Sequence, residues 1–205
     1  MVVDRTRMSF DTFMALPNDG GRHEYVRGEV RVSPIAPGWH GVAEVIVGSA
    51  IYQSLEDRAP ALGWTLAHGI KAQARLVGLV AMGEVGIEFT LPDDPRQIRG
   101  ADIVYITAEQ YNRLGWGDDS YFLEAPRLVV EIVSVFDRAA DLDEKRRDYL
   151  AGGAQRVWII DPLRHEIHIH DATAPTRVLH IDDILTDDNL LPGFALPLRL
   201  VFPTP

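Results

Sequence analysis

The chain has 205 residues, 46% hydrophobic and 24% charged, and no cysteine, which excludes disulfides, thiolate metal sites and cysteine nucleophiles. Thirty acids against twenty bases leave a formal charge of −10, so any surface that reads nucleic-acid phosphates has to be local. The opening MVVDRTRM has no apolar core of signal-peptide length, and no apolar run could span a bilayer, so a soluble cytoplasmic protein is expected, with one domain over residues 1–205.

Ser9 to Leu16 reads as a short helix, capped by Ser9, with Phe10, Phe13 and Met14 on one face and Pro17-Asn18-Asp19-Gly20-Gly21 ending it. HEYVRGEVRV is a hairpin pattern turning at Arg27-Gly28. After Pro34 and Pro37, apolar residues at Val42, Val45, Ile46, Ala50 and Ile51 give Trp39 to Leu55 a helical period. Three β-like stretches follow, Trp64 to Ala72, Ala74 to Met82 and Val85 to Leu91, and the Pro92-Asp93-Asp94-Pro95 loop breaks the run. Asp102 to Thr107 is a strand, and Thr107 with Gln110 forms a capping box for a short helix. Gly115 to Ser120 is loop. Leu128 to Val133 is apolar except for Glu131 and reads as a buried central strand. Asp137 to Leu150 is a helix closed by Gly152-Gly153. Arg156 to Ile160, the Asp161-Pro162 turn, and Glu166 to His170 form a strand-turn-strand. The closing LPGFALPLRLVF is an edge strand or an arm over the core, because Pro197 cannot sit in a central strand. The order of elements is that of a mixed α/β fold, opening with an N-terminal helix and β-hairpin and carrying a strand-helix-strand unit late in the chain, Leu128 to Ile160.

Three side chains stand out chemically. Glu131 lies in a strand whose neighbours demand burial, and an ionised carboxylate there needs an arginine, a metal ion or a proton to compensate it. Asp102 opens the strand DIVYI at a boundary between loop and sheet, where acids either line clefts or cap turns. On the Asp137–Leu150 helix, Leu142 and Tyr149 form the sheet-facing stripe, and Lys145 and Arg146 flank it on opposite sides; both could snorkel to solvent, and position alone does not choose between them. Eighteen of the twenty basic residues are arginine, so a lysine at 145 is a departure; its compact ammonium suits an oxyanion or water-positioning role better than a guanidinium fork does.

Other signals are weaker. His168 and His170 share one strand face and could ligate a metal, but no third ligand is indicated, and an exposed hairpin face accounts for them. His40 and Glu44 are one helical turn apart and can pair. Gly83 to Gly86 lacks the lysine and spacing of a phosphate loop, and Asp118-Asp119 and Asp187-Asp188 read as solvated turns.

The run LVVEIVSVFDRAADLDEKRRDYLAGGAQRVWIIDP resembles the Uma-type endonuclease family, a restriction-endonuclease-like branch of the PD-(D/E)xK nucleases. HEYVRGEV, the His40 helix, RGADIVYI and LPGFALPL resemble it too, in the right order from Ser9 to Leu198. The resemblance implies an α/β, restriction-endonuclease-like core, a central mixed β-sheet flanked by helices, with the N-terminal helix and β-hairpin ahead of it. It also implies Mg²⁺- or Mn²⁺-dependent hydrolysis of DNA, with Asp102 and Glu131 as metal ligands and Lys145 as the catalytic lysine moved to the following helix. Glu24 and His40 match further family positions. Val133 stands where the usual lysine would be, Ala101 replaces the proline before the aspartate, and Ser134-Val135 replaces a serine-proline. A homodimer is suggested by the resemblance alone. Two other readings fit the acidic charge: a non-cleaving binding or assembly module on the same fold, and a phosphodiesterase with a non-DNA substrate.

Overall fold

The computed structural model describes residues 6–17, 21–33, 36–65, 68–114 and 121–202. Strand β1 (Thr6–Arg7) precedes α1 (Phe10–Met14), where Ser9 accepts the N–H of Thr12 as expected of a cap. Phe13 of α1 is buried, but Met14 is exposed, so the apolar face is narrower than the sequence suggests. The expected hairpin is β2 (Arg22–Val26) and β3 (Glu29–Ser33). Arg27 and Gly28 both have positive φ, 51° and 79°, as a two-residue turn of primed type requires.

Helix α2 (Gly38–Arg58) buries His40, Ala43, Val47, Gly48, Ile51 and Leu55. Val42 and Val45, expected on the packed face, are 59% and 58% exposed. The smaller residues around them set the helix rotation, because Ala43 and Gly48 allow close packing on the sheet. The β-like reading of Trp64 to Ala72 and of the start of Ala74 to Met82 is overturned. Gly69–Val77 is helix α3, burying Gln73, Ala74 and Val77, and Gly78 with φ 98° ends it. Ala, Lys, Gln, Arg and Leu are all good helix formers, and that preference outweighs the apparent alternation.

Strand β4 (Leu79–Leu91) turns directly at Pro92-Asp93 into β5 (Asp94–Ile106), so the expected loop is a tight turn and the Asp102 strand starts eight residues earlier than foreseen. The Thr107–Gln110 capping box forms in both directions at the start of α4 (Ala108–Leu114). The expected loop at 115–120, with Asp118 and Asp119, lies outside the described residues. Strand β6 (Leu128–Ile132) is buried throughout, and α5 (Ala139–Ala151) follows it. Next come β7 (Arg156–Asp161), β8 (Glu166–Asp171), β9 (Arg177–His180), β10 (Ile184–Asp187) and β11 (Leu191–Pro197).

Nine strands among the described residues form one mixed sheet in the order β1-β3-β2-β5-β6-β7-β8-β9, with β4 along β5. The β6–β7 pair is parallel, and α5 makes the crossover that a parallel pair needs. Alternation along β6 sends Leu128, Val130 and Ile132 into the larger core with α2, and Val129 into the smaller core that Tyr149 of α5 closes. Strands β10 and β11 form a separate two-stranded arm whose Leu191, Phe194 and Leu196 join the larger core, as an arm over the core should. Asp187 is not a solvated turn residue. Its side chain is buried and pairs with Arg156 at 2.6 Å, tying the arm to β7.

Candidate active site

The site is assembled by strand register. In the antiparallel β5–β6 pair, Ile103 faces Val130 and Val104 faces Val129. Carrying that register one residue further sets Asp102 opposite Glu131. Asp102 Oδ2 accepts the N–H of Ile132 at 2.6 Å and lies 3.3 Å from His40 Nε2 of α2. Burial pushes the Asp102 carboxyl up, but the hydrogen bond and charge of His40, the Ile132 N–H and Lys145 outweigh it, so its pKa is lowered. Burial opposes protonation of His40, yet its bond to Asp102 wins and its pKa is raised. His40 therefore serves Asp102 directly rather than forming the pair expected with Glu44.

Glu131 points toward α5. Its Oε1 accepts from the Tyr149 hydroxyl at 2.9 Å, and Lys145 Nζ lies 3.3 Å from its Oε2. Burial drives the Glu131 carboxyl up to about 8; Lys145 and Tyr149 pull it down, while Asp102 and Glu24 add to the rise. Lys145 also donates to the carbonyl of Gly100 at 3.0 Å and pairs with Glu24 at 2.9 Å. Arg146, on the other flank of the stripe, turns away to Asp143. The two cations thus lie on opposite sides of the stripe, and only Lys145 enters the site.

Glu24 is the hinge of a buried ion network. It accepts the N–H of Gly100 and one arm of Arg99, each at 3.0 Å. Arg99 is fully buried and reaches on to Asp148 of α5. Arg27 from the hairpin turn closes the network on Asp148 at 2.9 Å. The position of Lys145 is therefore fixed through α5 from two sides.

Asp102, Glu131 and Lys145, with His40, Arg22 and Glu84, line one cavity of about 30 Å³. Glu84 and Asp137 are further carboxylates there that sequence reasoning missed. Met82 pairs with Ile103 and Val85 with Ala101, so Gly83 and Glu84 together oppose Asp102 as a β-bulge. Both bulge residues have positive φ, 92° and 59°. Glu84 is ion-paired with Arg22, and burial, then Asp102, push its carboxyl up to about 7. The glycine inside an otherwise strand-like run was the available sign of a bulge. Arg99 and Tyr149 were also missed as members of the site.

His168 and His170 stand elsewhere, side by side on β8, bonded to Glu166 and Thr176. Among the described residues, no group of three or more His, Asp or Glu side chains is spaced to hold a metal ion. No described helix is long and apolar enough to cross a membrane.

Residues 10–199 match the family model Uma2, described as "Putative restriction endonuclease". The chain belongs to the Uma2 family. A crystal structure from Anabaena variabilis, described as "a putative nuclease", is similar to this Uma2 chain with a TM-score of 0.73 at 19% identity, covering 95% of this chain and 97% of the other. That likeness extends to the fold. No curated protein matches this chain. Membership supports a nuclease-like function, and the mixed α/β sheet flanked by helices is the architecture expected of it.

Proposed function

We propose that this Uma2 protein is a divalent-metal-dependent endonuclease that hydrolyses DNA phosphodiester bonds, as one restriction-endonuclease-like domain. The observation that carries the reading is convergence: Asp102, Glu131 and Lys145, from β5, β6 and α5, line the same small cavity. The donor set fits Mg²⁺ or Mn²⁺, since hard carboxylate oxygens suit these ions and Mg²⁺ commonly takes only one or two protein carboxylates beside water and substrate. A cation would also favour the ionised form of two acids that burial first, and neighbouring carboxylates second, push up to about 8 at Glu131 and about 7 at Glu84. A bound ion would acidify water and offset charge on the phosphate.

The chain's own residues have separable tasks. Asp102 and Glu131 would hold the ion, with His40 and Ile132 N–H orienting the first and Tyr149 the second. The pKa of Lys145 is raised: burial opposes its charge, but Glu131, Glu24 and Asp102 outweigh that. It therefore stays an ammonium and acts as a hydrogen-bond donor to developing anionic charge rather than as a general base. Glu24 keeps that ammonium in place.

The test is plasmid cleavage by purified protein with Mg²⁺ or Mn²⁺ and with chelator. Cleavage should require the ion, and Glu131→Ala should reduce it by about a hundredfold or more. Undiminished cleavage in that variant, or in chelator, would refute the assignment. Neither Asp102 nor Glu131 is held by an arginine among the described residues, which favours this reading over a silent binding module.

A further inference from the structure

The carboxylate cavity is too small to admit a nucleotide, but an open groove of about 370 Å³ adjoins it where β2 and β3 meet the start of α2. The two spaces share Arg22, Ser33 and His40. Arg22 and Ser33 are cross-strand partners, so a guanidinium and a hydroxyl stand side by side at the junction. Beyond them the groove runs past Gly38 and Gly41, where an added Cβ would meet nothing within 4 Å, so bare backbone is presented. Its other ionisable lining residues are His40, engaged with Asp102, and the acid Glu44. Arg22 is thus the one guanidinium lining the path among the described residues, in a chain whose overall charge repels polyanions.

We propose that Arg22 is the substrate-phosphate contact of this site, holding a phosphate next to the scissile one so that a nucleic-acid strand enters along this groove. The inference rests on the nuclease reading above. The Arg22–Glu84 pair is then what the guanidinium leaves when a phosphate arrives, and an arginine suits the exchange because its planar fork matches phosphate oxygens.

The experiment measures binding of fluorescein-labelled single-stranded and duplex oligonucleotides by anisotropy across a salt series. A Glu131→Gln background prevents cleavage, and Arg22→Ala, Arg22→Lys and Glu84→Gln are compared within it. Arg22→Ala should bind about tenfold more weakly whatever the base sequence, and the slope of log affinity against log salt should shrink by about one phosphate contact, roughly 0.9 for duplex or 0.7 for single strands. Arg22→Lys should restore the slope but only part of the affinity, and keeps the test open should the alanine variant fold poorly. Glu84→Gln should bind no more weakly than its parent. Unchanged affinity and slope in Arg22→Ala would overturn the assignment, and so would an equal loss in Glu84→Gln, which would confine Arg22 to its ion pair. Absence of nucleic-acid binding by the background protein at every salt concentration would overturn the nuclease reading and this assignment together.

Discussion

Replacing Glu24 by glutamine tests whether the buried ion network, rather than packing alone, holds the site. The carboxyl is 9% exposed, so solvent screens its pairings little. Burial pushes Glu24 up, but the charges of Lys145 and Arg99, with hydrogen bonds from Lys145 and the Gly100 N–H, bring it from 4.5 down to about 2. At about 1.4 kcal/mol per pH unit, that gap corresponds to about 3 kcal/mol of stability at neutral pH. The folded pKa is depressed, so this contribution is fully present above the unfolded value and is lost as pH falls from about 5 toward 2. Glutamine keeps an acceptor for Gly100 but carries no charge. Glu24→Gln should therefore be about 3 kcal/mol less stable than the parent at pH 7, with the gap roughly halved near pH 3. Urea unfolding followed by circular dichroism at pH 7, 5, 4 and 3 measures it. A gap that does not narrow on acidification, or one below about 1 kcal/mol at pH 7, would show that the ion pairs do not stabilise this end of the sheet.

Three further outcomes follow from the same geometry. Asp148→Ala removes the acceptor shared by Arg99 and Arg27; with Glu24 and Glu144 still near Arg99, the loss should sit at about 3 kcal/mol, the low end for a broken buried pair, read from the denaturation midpoint. Gly78→Ala should cost about 3 kcal/mol or more, because φ is 98° and a Cβ would meet the Ile106 carbonyl at 2.3 Å; a melting temperature within a degree or two of the parent would contradict this. Tyr149→Phe deletes a hydrogen bond that lowers the Glu131 pKa, so the acid limb of the proposed cleavage activity should move to higher pH; a lower plateau with an unmoved limb would show that Tyr149 does not tune Glu131.

What the sequence revealed, and what it hid, divides along a physical line. Glu131 was legible because an acid inside an apolar strand is a local anomaly; for Lys145 the helical wheel left Arg146 equally placed, an arginine-rich composition only tilted the choice, and the family resemblance made it. The hairpin, the capping box and the C-terminal arm were legible from turn residues, side-chain spacing and proline. The α3 segment was misread because its alternation is an accident of a short helix that buries little. Val42 and Val45 were misplaced because periodicity gives a face but not which neighbouring face meets the sheet. Glu84, Arg99 and Asp148 depend on something no local pattern carries. Arg99 joins residues 75 positions before it and 49 after it, and the partners are chosen by sheet order and by the rotation of α5. Charges placed this way are costly unless every partner is present, so the network ties strand order, hairpin turn and helix rotation to a single arrangement. The Lys145 ammonium sits where that arrangement puts it: Glu24 holds it through β2, Asp148 fixes α5 through Arg99, and the carbonyl of Gly100 receives it beside Asp102. On that account the geometry of the candidate site is a consequence of the ion network, and damage to the network far from the cavity should move the lysine before it unfolds the sheet.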